Sequence, residues 1–193
     1  PLTVLGAFLL WFGWFGFNSG SALGSGSLAT SAFVVTHIAA AAAGLTWALL
    51  DWIFNSRPTV LGIITGAVAG LVAITPASGF VNPVGAIWIG IGVSVFCYIA
   101  VAILKVKFGY DDSLDAFGVH GIGGMWGALA TGLWATKAGN SAGANGLFYG
   151  NPAQLFIQFK AGIVTAVYSF VMTFIILKVL DAIMGLRAAE QDE

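Results

Sequence analysis

Residues 1–23 read PLTVLGAFLLWFGWFGFNSGSAL, and no charged side chain interrupts the run. A helix that crosses a bilayer needs about 20 predominantly apolar residues, and this stretch supplies them. Membrane strands instead alternate apolar and polar residues over about 10 positions; this run is longer and does not alternate. Five more windows of the same kind follow, at about 28–54, 59–80, 83–105, 112–136 and 153–185. Turn-forming stretches separate them: Gly24-Ser25-Gly26-Ser27, Asn55-Ser56-Arg57-Pro58, Asn82-Pro83, Lys107 to Asp111, and Lys137 to Asn151. The fold class read from this pattern is all-α, a polytopic helical membrane protein with six spanning helices.

Composition agrees. Of 193 residues, 59% are apolar and 8% charged, with seven Lys plus Arg against eight Asp plus Glu. A soluble domain carries about 25% charged residues, so a water-soluble enzyme is a poor fit. Seven scattered cations do not assemble the basic stripe that nucleic acid requires. The one cysteine, Cys97, cannot form an intrachain disulfide and makes a cysteine metal site unattractive. No cofactor is expected. The chain starts at Pro1 inside an apolar run, without signal-peptide architecture. It is read as a piece of a longer protein, with residues 1–187 a partial transmembrane domain and 188–193 the start of a tail.

Lys and Arg concentrate in cytoplasmic loops. The loop after the second window, the loop after the fourth and the segment after the sixth share one side. That side holds Arg57, Lys105, Lys107, Lys178 and Arg187, against Lys137 and Lys160 on the other. This count places the C-terminus in the cytoplasm. Gly62, Gly66 and Gly70 repeat every four residues, as do Gly123 and Gly127. Small residues at that spacing let membrane helices approach closely, so a tightly packed bundle is expected.

Ionisable residues inside spans are candidates for function by default. Asp51, Lys105 and Asp181 lie near window ends and can reach the interface, and Lys160 and Lys178 can snorkel. Two places resist that explanation. In the fifth window, Asp111 or Asp112 can cap the helix, Asp115 lies about one turn in, and His120 is about 7 Å deeper. His120 is flanked by Gly118, Gly121, Gly123 and Gly124, which clears space beside its ring. Asp115 and His120 are the only closely spaced acid and base well inside one span.

The second place is the quoted run, where Trp11, Phe12, Trp14, Phe15 and Phe17 fall within seven residues. An aromatic belt at the membrane interface is the ordinary explanation. Here Asn18, Ser19 and Ser21 follow at once, and Trp14, Phe17 and Ser21 share a helix face. Aromatic faces attract cations and hydroxyls accept their hydrogen bonds, which describes a small-cation site. His37, with no aromatic or acid beside it in sequence, is read as a packed histidine bonded to a neighbouring helix.

The run from Trp11 to Ser21, and Asp111 to Asp115 with Phe117-Gly118-Val119-His120-Gly121, resemble the ammonium transporter family (Amt/Mep/Rh). Supporting stretches are Ile74 to Gly79, Lys178 to Asp181 and Gly185 to Arg187. The resemblance covers essentially the whole chain. It implies an eleven-helix fold of two inverted five-helix halves, of which this chain is the second half plus the final helix. It implies Phe17 as one of two stacked phenylalanines gating the outer mouth, Ser21 as the hydroxyl of an outer recruitment site and Trp14 as a pore-lining tryptophan. His120 would be the second of twin pore histidines, and Asp115 the acid close below it. The first histidine, the recruitment tryptophan and the other phenylalanine belong to helices outside this chain. His37 is not the missing twin.

The resemblance also implies ammonium/ammonia or methylammonium as substrate, a lipid bilayer of the plasma or bacterial inner membrane, a homotrimer and a PII-type cytoplasmic regulator. Desolvation in a dry pore disfavours the charged ion, so ammonium would shed its proton and ammonia would cross, with His120 passing the proton. Half of an inverted repeat is expected not to conduct alone. An ammonium sensor or receptor of the same fold is the alternative. An intramembrane enzyme using Asp115 and His120 lacks a nucleophile in reach, and no aquaporin or urea-channel signature is present.

Overall fold

The computed structural model describes residues 1–186. Among them all regular secondary structure is helical. The six helices are α1 (Leu2–Gly20), α2 (Ser27–Asn55), α3 (Val60–Ile74), α4 (Pro83–Phe108), α5 (Ile122–Trp134) and α6 (Pro152–Met184). They fall in the six windows. Of the described residues, α1, α2, α4 and α6 form four helices long and apolar enough to cross a membrane.

The third and fifth windows are corrected in length. Helix α3 has 15 residues, a rise of about 22 Å against a hydrocarbon core of about 30 Å. Pro76 brings no N–H to continue the ladder, and residues 75–80 close as successive turns, with Ala77 N donating to Ile74 O at 2.9 Å. In the fifth window the helical backbone starts at Ala116, passes through a π-helical turn at Phe117–Gly121 and becomes regular α5. A second π-helical turn occupies Ile99–Leu104 within α4.

The chain divides into two compact units, residues 1–158 and 159–193. In the first, α2, α3 and α4 form the centre. Their buried side chains are small: Ala39, Ala40, Ala43, Ala69, Ala73 and Ala86 are all fully covered. The glycine repeat on α3 is the reason two backbones can meet. A Cβ at Gly70 would lie 2.6 Å from the Ala39 carbonyl oxygen and 2.7 Å from Ala43 Cβ. A Cβ at Gly66 would stand 2.9 Å from the Ala43 carbonyl. Ser94 ties α4 into the same seam, donating its hydroxyl to Ala43 O at 2.6 Å. In the second unit, α6 continues to Met184 and ends at Gly185, whose φ of 73° is the left-handed turn glycine accommodates without strain. Arg187 and the expected tail at 188–193 lie outside the described residues.

Hydrogen bonds show which loops of the first unit share an end. Thr136 N donates to Phe80 O at 2.8 Å and Asn82 Nδ2 to Tyr149 Oη at 2.8 Å, joining residues 75–82 to 135–151. At the other end, Asn55 Nδ2 donates to Tyr98 Oη at 3.1 Å. Asp51 belongs here, and it does not reach outward as its place near a window end suggested: it is 4% exposed. Its Oδ2 accepts from Thr59 N at 3.1 Å and Thr59 Oγ1 at 2.8 Å. Thr59 Oγ1 in turn accepts from Gly62 N, capping α3.

Candidate functional site

The outer cluster grows from the C-terminal turns of α1. Residues three and four apart on a helix share a face, and Trp14, Phe17 and Ser21 do meet. The Trp14 and Phe17 rings stand edge to face, 5.9 Å between centroids and 89° between planes. Phe17 is 59% exposed. Ser21 ends the helix and donates its hydroxyl to Phe17 O at 2.8 Å. That bond occupies the hydroxyl hydrogen and leaves the oxygen lone pairs to accept. A cation with N–H donors is the complementary ligand for an accepting hydroxyl beside aromatic faces.

Sequence reasoning missed the anchor of this cluster. Trp14 Nε1 donates to Thr75 Oγ1 at 2.8 Å, across to the end of α3. Asn18, expected among the polar acceptors beside the aromatics, is buried and turned away: its amide donates to Thr36 Oγ1 on α2 at 3.0 Å. A buried amide requires a partner, and α2 supplies one. Ser19 Oγ is likewise buried, leaving Ser21 as the hydroxyl of the cluster.

The inner group is arranged differently from the expectation. Asp112 is the cap: its Oδ2 accepts from Phe117 N at 3.0 Å and Gly118 N at 3.2 Å. Asp115 is not one turn inside the helix. It precedes Ala116, its φ is 54°, and its Oδ1 pairs with Lys105 Nζ at 2.6 Å. It therefore faces a cation from α4, and the picture of Asp115 with His120 as an isolated acid and base is replaced by a Lys105–Asp115 pair at the foot of the turn that carries His120. Lys105, read as a residue reaching the interface, is half of that pair, and the two side chains are 26% and 28% exposed. His120 is exposed, on the π-helical turn.

The glycines near His120 are mostly packing positions. A Cβ at Gly118 would lie 2.6 Å from Val101 Cγ2, and one at Gly123 3.3 Å from Cys97 Sγ. Gly124, one turn beyond His120, alone among these four borders open space. Gly121 is backed by the Phe117 ring.

His37 is corrected as well. It is exposed rather than packed, with its ring 5.4 Å from Trp11 and 6.0 Å from Phe15 between centroids. With Phe8, Phe12 and Phe33 these residues line an open apolar groove of about 450 Å³ along α1 and α2. The Trp11 and Phe15 rings come from another helix, so sequence adjacency gave no sign of them, while Phe33 stands one turn before His37 on α2 itself.

Helices packed through small residues, with aromatic and titratable groups at opposite ends of the first unit, make this a polytopic helical membrane protein. The comparisons define it further. All of residues 1–193 match the profile of the Ammonium Transporter Family. An ammonium transporter of Bacillus subtilis (strain 168) is 54% identical over 191 residues, covering 99% of this chain and 47% of the relative. The crystal structure of Candida albicans Mep2 superposes with a TM-score of 0.91 at 37% identity, covering 97% of this chain and 43% of that one. A structure described as a sensor Amt protein gives a TM-score of 0.90 at 33% identity, covering 100% and 46%.

The chain belongs to the ammonium transporter family. Its six helices answer to the second five-helix repeat and final helix of the family's eleven-helix fold. It spans about half the length of the relatives it matches.

Proposed function

We propose that this chain supplies one half of a transmembrane pathway for ammonium and ammonia. The observation that carries the reading is the outer cluster: Ser21 has its hydrogen tied to Phe17 O at 2.8 Å, beside the edge-to-face Trp14–Phe17 pair. Ammonium is all donor and no acceptor, so an accepting oxygen next to aromatic faces is what would hold it. Phe17 would gate the mouth, and Trp14 would line the passage below it. Water is lost there and the charged form becomes costly, so the ion gives up a proton and ammonia crosses between apolar walls. His120 would then take part in passing the proton, with Asp115 shaping the pore below it.

The partners belong to the same reading. Ammonium or methylammonium is the substrate, the assembly is a homotrimer, and a PII-type protein is the cytoplasmic regulator. The charge count supports a cytoplasmic C-terminus, and the family supports a cell-membrane location. Residues 1–187 form the partial transport domain, and 188–193 begin the tail.

The test is transport by the full-length protein in proteoliposomes. His120→Ala is expected to abolish ammonium-driven current or change its selectivity; a wild-type current with wild-type selectivity would remove the histidine from the mechanism. The likeness to a sensor Amt protein supports a second reading, an ammonium receptor. That reading requires saturable ammonium binding without flux in the same liposomes.

A further inference from the structure

Two π-helical turns lie against each other at the inner end of the first unit, Ile99–Leu104 in α4 and Phe117–Gly121 leading into α5. Such turns are rare and concentrate at functional sites. Their contact is close, because Gly118 sits directly against Val101. A π turn inserts a residue and rotates the downstream helix by about 100°. In α4 the first residue after the turn is Lys105, and its ammonium reaches Asp115.

Asp115 is the joint between that lysine and His120. Its carboxylate pairs with Lys105 at 2.6 Å, and its carbonyl accepts the 2.8 Å bond from Val119 N that opens the helix. Val119 immediately precedes His120. The backbone at Asp115 has φ 54°, a conformation most residues with a β-carbon avoid and aspartate adopts more readily than most. Lys105 holds the Asp115 side chain from α4, and Asp112 holds the helix start through Phe117 N and Gly118 N.

We infer that Lys105 is a positioning residue for His120: its ion pair with Asp115 fixes the left-handed residue from which the His120 turn is built. The inference rests on the reading of His120 as a pore residue. In that role Lys105 acts through Asp115 and the start of the helix, setting where the imidazole stands and so what the pore admits.

The experiment uses the full-length transporter in proteoliposomes, with ammonium- and methylammonium-elicited currents measured at matched protein amounts. The readout is the ratio of the two currents, which a loss of folded copies leaves unchanged. Lys105→Met is expected to move that ratio at least threefold, in the direction that His120→Asn moves it, while Lys105→Arg stays within twofold of wild type. A wild-type ratio in Lys105→Met, with His120→Asn altered, overturns the positioning role and leaves the pore histidine standing. Equal effects of Met and Arg overturn it too, since the charge would not matter. A wild-type ratio in His120→Asn overturns the pore reading itself. Should Lys105→Met not reach the membrane, Lys105→Gln decides: a ratio moved at least threefold supports the role, and a folded protein with a wild-type ratio refutes it.

Discussion

The indole N–H of Trp14 donates to the hydroxyl of Thr75 at 2.8 Å, linking residues 61 positions apart. Thr75 donates its own hydroxyl hydrogen to Leu71 O at 2.8 Å, which turns its oxygen lone pairs toward the indole. Trp14 is thus held from the end of α3 while its ring stands edge-on to Phe17.

Thr75→Val keeps the shape and deletes the acceptor. The indole N–H then loses a partner worth about 1 kcal/mol, roughly a fivefold change in an equilibrium. Ammonium transport below saturation is expected to fall about three- to tenfold in the full-length protein. Thr75→Ser, which keeps the hydroxyl, is expected to stay near wild type. Initial uptake rates of the two variants check this, and equal rates would detach Trp14's anchor from transport.

Gly70→Ala tests the packing of α2 on α3. The new methyl would stand 2.6 Å from the Ala39 carbonyl, against backbone that cannot rotate away. Overpacking of this kind costs about 1–3 kcal/mol. A lower midpoint of thermal unfolding in detergent is expected for Gly70→Ala. Gly124→Ala, where a methyl meets open space, should leave the midpoint unchanged.

The 193-residue chain by itself is expected to give no saturable ammonium uptake in liposomes. Phe17 is 59% exposed and His120 is exposed, so the faces that carry the candidate pore residues are not enclosed by this chain. The chain covers 47% of the Bacillus subtilis transporter it matches. Saturable uptake by the isolated chain would mean that these helices build a pathway among themselves.

Much of the outer cluster was legible in the residue order alone. Trp14, Phe17 and Ser21 lie on one helix, and helical periodicity brings them together. The same holds for the glycine repeat of α3, because spacing along one helix defines a stripe. The inner group was only partly legible. Asp112 as a cap is consistent with its place before an apolar run. The positive φ at Asp115 and its pairing with Lys105 could not be read that way, since the lysine arrives from α4.

The all-helical membrane class, the six helical windows and the family are written in the chain itself. Hydrophobic run length, charge scarcity and motif order are local properties, and they survive without coordinates. The partners are a matter of three dimensions: Thr75 for Trp14, Thr36 for Asn18, Lys105 for Asp115, and the aromatic wall beside His37. So are the shortening of the third window to a 15-residue helix and the π-helical turn under His120. Contacts of this kind join residues on different helices, so they are set by how helices cross and how closely small residues let backbones approach. A one-dimensional pattern carries the faces of each helix but not which face meets which.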